Sequence, residues 1–313
     1  AQWTHGPFSG EIADGKIYGR GASDMKGSDC AMVMAAGRFA AQTKKNFAGT
    51  ICVSGTVHEE CFEGVAPREV TERVKPDFVI VGEATSTSIK IGQRGRAEVV
   101  VETEGVSCHS SNPEKGVNAV YGMMAVIEEI RKIVPNEHPL LGRGILELTD
   151  IVSAPYPGAS VVPAACRATF DRRTLVGEDE AVILGQVEEA IARAQEKHPE
   201  IKARCYLATG TEACWTGDTI SAKRYFPAWV VDESSELVVK ARRGLEAAGI
   251  DAPLSHFSFC TNGSHFCGEA GIPTIGYGPS LESLAHVRDE YIEISQLTKA
   301  CRGFASILAE LTR

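Results

Sequence analysis

Residues 28–43, rich in alanine and methionine, predict a helix soon after a polar, glycine-rich opening. The next run, "TICVSGTV" (50–57), is almost wholly apolar or small, the texture of a strand buried on both faces of a parallel sheet. It stops at "HEE". A second apolar run, "FVIVG" (78–82), stops at Glu83. From Arg96 the texture changes, and "AEVVVETEG" alternates like a half-exposed strand. A helix is predicted after it, with Val120, Met123, Met124, Ile127, Ile130 and Val134 on one stripe. Strand-like "GILELTDI" (144–151) and "CRATFDRR" (166–173) follow. A second helix carries Ile183, Val187, Ala190, Ile191 and Ala194, and "IKARCYLA" (201–208) closes the series.

That order is β-α-β-β-α-β, the ferredoxin-like split unit, with a sheet face or edge available for pairing with another copy. The α/β texture then resumes, with a helix over 235–248, a strand in "IPTIGYGP" (272–279), and a C-terminal helix. Leu297, Ala300, Phe304, Ile307, Leu308 and Leu311 recur along that last helix at helical spacing. The expected organisation is an α/β domain in two pieces, 1–91 and 210–313, interrupted by an α+β domain over 92–209.

Length supports two domains, because 313 residues exceed what one hydrophobic core usually serves. A net charge of −9 argues against nucleic acid as the main partner, since phosphate binding needs a cationic surface. No apolar run approaches a membrane span, so no membrane partner is expected. The ten cysteines show no CxxC pair and no dense framework, which points to free thiols and a cytoplasmic location. The opening "AQWTHGPFSGEIADGKIYGRG" has no initiator Met and enters on what reads as an interior loop. The expectation is a fragment or a removed N-terminus.

Four candidates for chemistry lie at the ends of predicted elements: Asp24 in "YGRGASDMKG", the pair Glu59 and Glu60, Glu83, and His286 in "SLAHVRDEY". Open α/β sheets place ligand sites at the carboxyl ends of their strands, where Glu59, Glu60 and Glu83 fall. Adjacent carboxylates repel unless a cation compensates. Taken singly each residue has a plain reading: Asp24 as a helix N-cap, the glutamates as solvated acids, His286 as a surface histidine. Together they are hard oxygen and imidazole donors suited to zinc or a similar divalent ion.

In sequence order, "YGRGASDMKG", "HEE", "GEAT" and "AHVRDEYI" resemble the zinc-dependent peptidases and deacylases of the aminoacylase, acetylornithine deacetylase and succinyl-diaminopimelate desuccinylase family. The resemblance extends to the inserted "GVSCHSSNPEKGVNAV". "CTNGSHF" with "GIPTIGYGPSLESLAHVRDEYIEI" is most similar to the subgroup called selenium-metabolism-linked hydrolases. The resemblance implies a mixed-sheet zinc-peptidase catalytic domain interrupted by a ferredoxin-like dimerisation or lid domain, and hydrolysis of an amide bond in a small carboxylated substrate. It implies two zinc ions, or cobalt or manganese, with Asp24 bridging, Glu60 and His286 on one ion, and Glu83 on the other. Glu59 would be the general base. His109 would stabilise the oxyanion across a homodimer formed through the insert. Arg173 would grip a substrate carboxylate, with Arg224 and Asn262 as further candidates for that pocket.

Two departures stand against the pattern. The family has a strand-end His-x-Asp upstream of "GRG", whereas His5, the only histidine before Asp24, lies in "WTHGPF". One of the two metal sites is therefore expected to be incomplete. Ser160 stands where the family often has asparagine before "VVP", so substrate preference does not carry over. The alternatives are a catalytically silent metal-binding or dimerising protein, and a hydrolase using only the three-ligand site.

Overall fold

A computed structural model describes residues 2–313. The chain divides into Ala1–Gln93 joined with Trp229–Arg313, and the continuous stretch Arg94–Ala228. Its longer helices are α1 (Gly27–Gln42), α2 (Pro67–Val74), α3 (Ala119–Ile130), α4 (Glu180–Lys197), α5 (Glu236–Ala247) and α6 (Ile294–Leu311). Among the described residues, no helix is long and apolar enough to cross a membrane.

In the two-part unit, a mixed sheet runs in the order Trp229–Val230, Ile89–Gln93, Thr274–Gly276 and Val79–Val81. Leu254–Phe257 also pairs with Ile89–Gln93. Thr274–Gly276 lies parallel to Val79–Val81 and antiparallel to Ile89–Gln93, which makes the sheet mixed. α6 packs against both α1 and α5. It buries Ala300, Gly303, Phe304 and Ile307, a stripe at helical spacing. Gly303 is required there because a methyl group would overlap the Tyr277 side chain. Phe304 meets the Tyr277 ring edge-on, with centroids 5.0 Å apart.

Residues 50–57 are not a strand, contrary to their texture. Among the described residues they join no sheet, and Cys52, Val53 and Val57 are exposed. Apolar composition permits a buried strand, but only a hydrogen-bonded neighbour makes one.

The Arg94–Ala228 unit carries an antiparallel sheet in the order Lys202–Leu207, Gly95–Glu104, Ala165–Thr174 and Ile145–Ala154. In chain order that is 4-1-3-2, with α3 after the first strand and α4 after the third, the ferredoxin-like arrangement. α3 and α4 cover one face, burying Met123, Val126, Ile183 and Val187 with Val99, Val101, Ala168 and Phe170. The stripe of α3 is narrower than the apolar pattern predicts. Met124 and Val134 are exposed, because the helix ends at Ile130, ahead of Pro135, and Met124 faces away from the core. The unit runs beyond Thr209 to Ala228. A hairpin pairs Thr209–Ala213 with Thr219–Lys223, and Tyr225–Phe226 returns to pair with Ala97 and Arg96.

Candidate metal centre

Asp24 sits in a turn that only a particular backbone can make. Gly21 has φ +84, a region that costs little only for glycine, and a side chain there would run into Lys26. Asp24 itself has φ −127 and ψ 89, and the Asp24–Met25 peptide is cis. Its carboxylate caps no helix. The backbone N–H groups of Gly21, Ser23 and Asp24 instead donate to the buried carboxylate of Glu290. His286 lies in the loop between a short 3₁₀ turn, Glu282–Leu284, and the strand Tyr291–Glu293.

Glu59 and Glu60 follow the irregular 50–57 segment. Phe62, fully buried, anchors that loop, and Gly64 donates its N–H to Asn262 Oδ1 at 3.0 Å. The Asn262 amide N–H donates in turn to Thr56 at 3.0 Å, so this one side chain braces both ends of the loop. Glu83 is buried two residues after the strand Val79–Val81.

These elements bring Asp24, Glu60 and His286 together, one donor atom from each lying within 4.8 Å of the others. His286 Nε2 is 2.9 Å from Glu60 Oε2 and 3.2 Å from Asp24 Oδ2. An ion with bonds of about 2.1 Å to tetrahedral donors holds those donors about 3.4 Å apart, so the spacing fits a divalent cation. The electrostatics fit as well. Burial, then the charge of Glu60, raise the Asp24 pKa, against the opposing pull of His286. Burial and the neighbouring Asp24 and Glu60 push Glu83 up to about 8. The Asp24 side chain adds to that upward shift both by its charge and by its closeness to the Glu83 carboxyl. Glu59 is raised well above the usual carboxylate range by burial and by Glu83, Glu63, Glu60 and Asp24, and its Oε1 is buried with no hydrogen-bond partner among the described residues. A cation among these acids relieves every one of those costs.

The remaining residues singled out in the sequence are held by partners of their own. His5, upstream, pairs with Glu11 at 3.0 Å and stacks on Tyr18. His109 is in the Arg94–Ala228 unit, where its Nδ1 accepts the Ser111 N–H at 3.1 Å. In the neutral ring this places the proton on Nε2, making that nitrogen a donor. Arg173 is oriented by Asp171, Nε to Oδ1 at 2.8 Å. Arg224 pairs with Glu98 at 3.5 Å and with Glu212 at 4.0 Å. Sequence reasoning passed over Glu290, whose one signal was its place four residues after His286.

The family model "Peptidase family M20/M25/M40" matches residues 1–310. The uncharacterized protein YgeY of Escherichia coli strain K12 is 32% identical over 310 residues, covering 97% of this chain and 75% of that protein. Succinyl-diaminopimelate desuccinylase of Cereibacter sphaeroides is 28% identical over 310 residues, covering 95% and 75% respectively. Among solved structures, aminopeptidase PepT from Bacillus cereus aligns with a TM-score of 0.72 at 19% identity, over 97% of this chain and 76% of that one. The M20 family metallo-carboxypeptidase Sso-CP2 from Sulfolobus solfataricus aligns with a TM-score of 0.67 at 17% identity, over 98% and 80%.

Proposed function

Because the chain belongs to the M20/M25/M40 peptidase family, we propose that it hydrolyses an amide bond of a small carboxylated compound at the Asp24, Glu60 and His286 centre. It is a metal-dependent amidohydrolase of peptidase or deacylase type. The convergence of those three side chains, from three separate stretches of chain, carries the residue assignment.

A divalent cation held there supplies Lewis acidity toward water and an amide carbonyl. Asp24, Glu60 and His286 are its proposed ligands, and Glu83, beside Asp24, serves a second ion. Two zinc ions are the proposed complement. Glu59 takes a proton from the attacking water and returns it to the leaving amine nitrogen. His109, with its Nε2–H available as a donor, is proposed to stabilise the oxyanion. Arg173 presents a planar fork suited to a substrate carboxylate. Arg224 and Asn262, engaged with acids and with the loop respectively, are proposed to support that pocket.

Steady-state hydrolysis of N-acyl amino acids and dipeptides by the zinc-loaded protein tests the reading. Glu59→Gln should lower kcat by about 10²–10⁴-fold with metal content unchanged. In the same assay His109→Ala should lower kcat, and Arg173→Met should act mainly on KM. Retained turnover in Glu59→Gln would refute its role as base. A parent protein that binds metal yet cleaves no amide would favour a silent metal-binding or dimerising role.

One observation favours a single-ion variant of this reading. Among the described residues, the tight donor cluster contains three side chains, and Glu83 is outside it.

A further inference from the structure

Glu290 is fully buried (0% exposed), and both of its carboxylate oxygens are spent on the turn that carries Asp24. Oε1 accepts the N–H groups of Ser23 at 2.8 Å and Asp24 at 3.1 Å. Oε2 accepts the Gly21 N–H at 3.0 Å and the Arg20 guanidinium at 2.8 Å. The main-chain carbonyl of Glu290 accepts the Gly19 N–H at 2.9 Å. The flanks are joined too, Arg20 donating to the Val287 carbonyl at 2.9 Å and Ser23 to the Tyr291 carbonyl at 2.6 Å. All four groups facing the Glu290 side chain are donors, and an acceptor-only carboxylate matches them. Without Glu290 the N–H groups of Gly21, Ser23 and Asp24 would lose these acceptors, and a buried N–H left unmade is costly.

We propose that Glu290 is a positioning residue of the metal centre: its carboxylate locks the Asp24 turn to the His286 loop, so the two ligands stand at their spacing before an ion arrives. This rests on the reading of Asp24 and His286 as ligands. A merely structural acid would stabilise the fold without setting the ligand geometry. A positioning acid also sets metal affinity and ligand field, and loss of such outer partners typically weakens affinity by about 10- to 100-fold.

The test is Co²⁺ titration of the purified protein, followed by visible absorption, with circular dichroism to establish folding. Glu290→Gln turns an NH₂ group onto two of the four donors. It should weaken Co²⁺ binding by about 10- to 100-fold and shift the absorption bands while the fold is retained. Glu290→Asp keeps the charge on a shorter arm and should fall between that variant and the parent. A folded Glu290→Gln or Glu290→Asp with parental affinity and spectrum would overturn the proposal. Hydrogen exchange of the metal-free parent requires no variant: Gly21, Ser23 and Asp24 should exchange slowly, and rapid exchange at all three would also overturn it. Asp24→Asn and His286→Ala separate the two ideas. If both bind Co²⁺ like the parent, the ligand reading fails. If both lose binding and Glu290→Gln does not, only the clamp is wrong.

Discussion

Glu83 and Glu59 are acids whose nearest charged neighbours are other acids, and that arrangement has a measurable cost. Burial and repulsion hold the Glu83 pKa near 8, against an ordinary value of 4.5. Between those values the metal-free folded protein keeps a proton that the unfolded chain has lost. Stability conferred by this group is therefore full below about 4.5 and declines as pH rises toward about 8. The Tm of the metal-free protein should fall across that window, less steeply in Glu83→Gln and less steeply with zinc added. A flat metal-free profile would contradict the account of these acids. At this scale the sequence was partly legible. The ligand candidates Asp24, Glu60 and His286 could be picked out by residue type and by their place at the ends of expected elements, although the strand expected before Glu60 does not form. Glu290 could not, because an acid in "VRDEY" reads as solvated, and only the fold shows four N–H groups converging on it.

Elements were legible wherever burial is local. In α4 the residues Ile183, Val187, Ala190, Ile191 and Ala194 are all buried, as their spacing predicts, because the helix face and its sheet are close in sequence. The 50–57 segment was not legible, since a strand depends on a neighbour supplied from elsewhere in the chain. The strand Ile145–Ala154 raises the opposite case, a paired element with one side open. It forms the edge of its sheet and leaves Ile145, Ile151 and Val152 exposed. Open apolar edges invite pairing, and this one supports the proposed homodimer through the inserted domain. Ile151→Lys should shift the mass measured by light scattering from dimer toward monomer. A parent that is already monomeric at micromolar concentration would count against that dimer.

At the scale of the whole molecule, one unit contains the acids and His286, and the other contains His109, Arg173 and the sheet edge. A change in texture at Arg96 signalled the second unit, because an antiparallel sheet covered on one face alternates whereas a buried mixed sheet does not. Its C-terminal limit was harder to read. The Thr209–Ala213 hairpin and the Tyr225–Phe226 strand are short, polar-flanked pieces whose pairing only the tertiary structure supplies. Asp24, Glu60 and His286 are proposed to bind the catalytic ion. Anomalous diffraction at the zinc edge from crystals grown with zinc tests it most directly. A peak is expected within about 2.0–2.2 Å of one donor atom from each of the three, and a second near Glu83 if two ions bind. Peaks confined to other residues would contradict it.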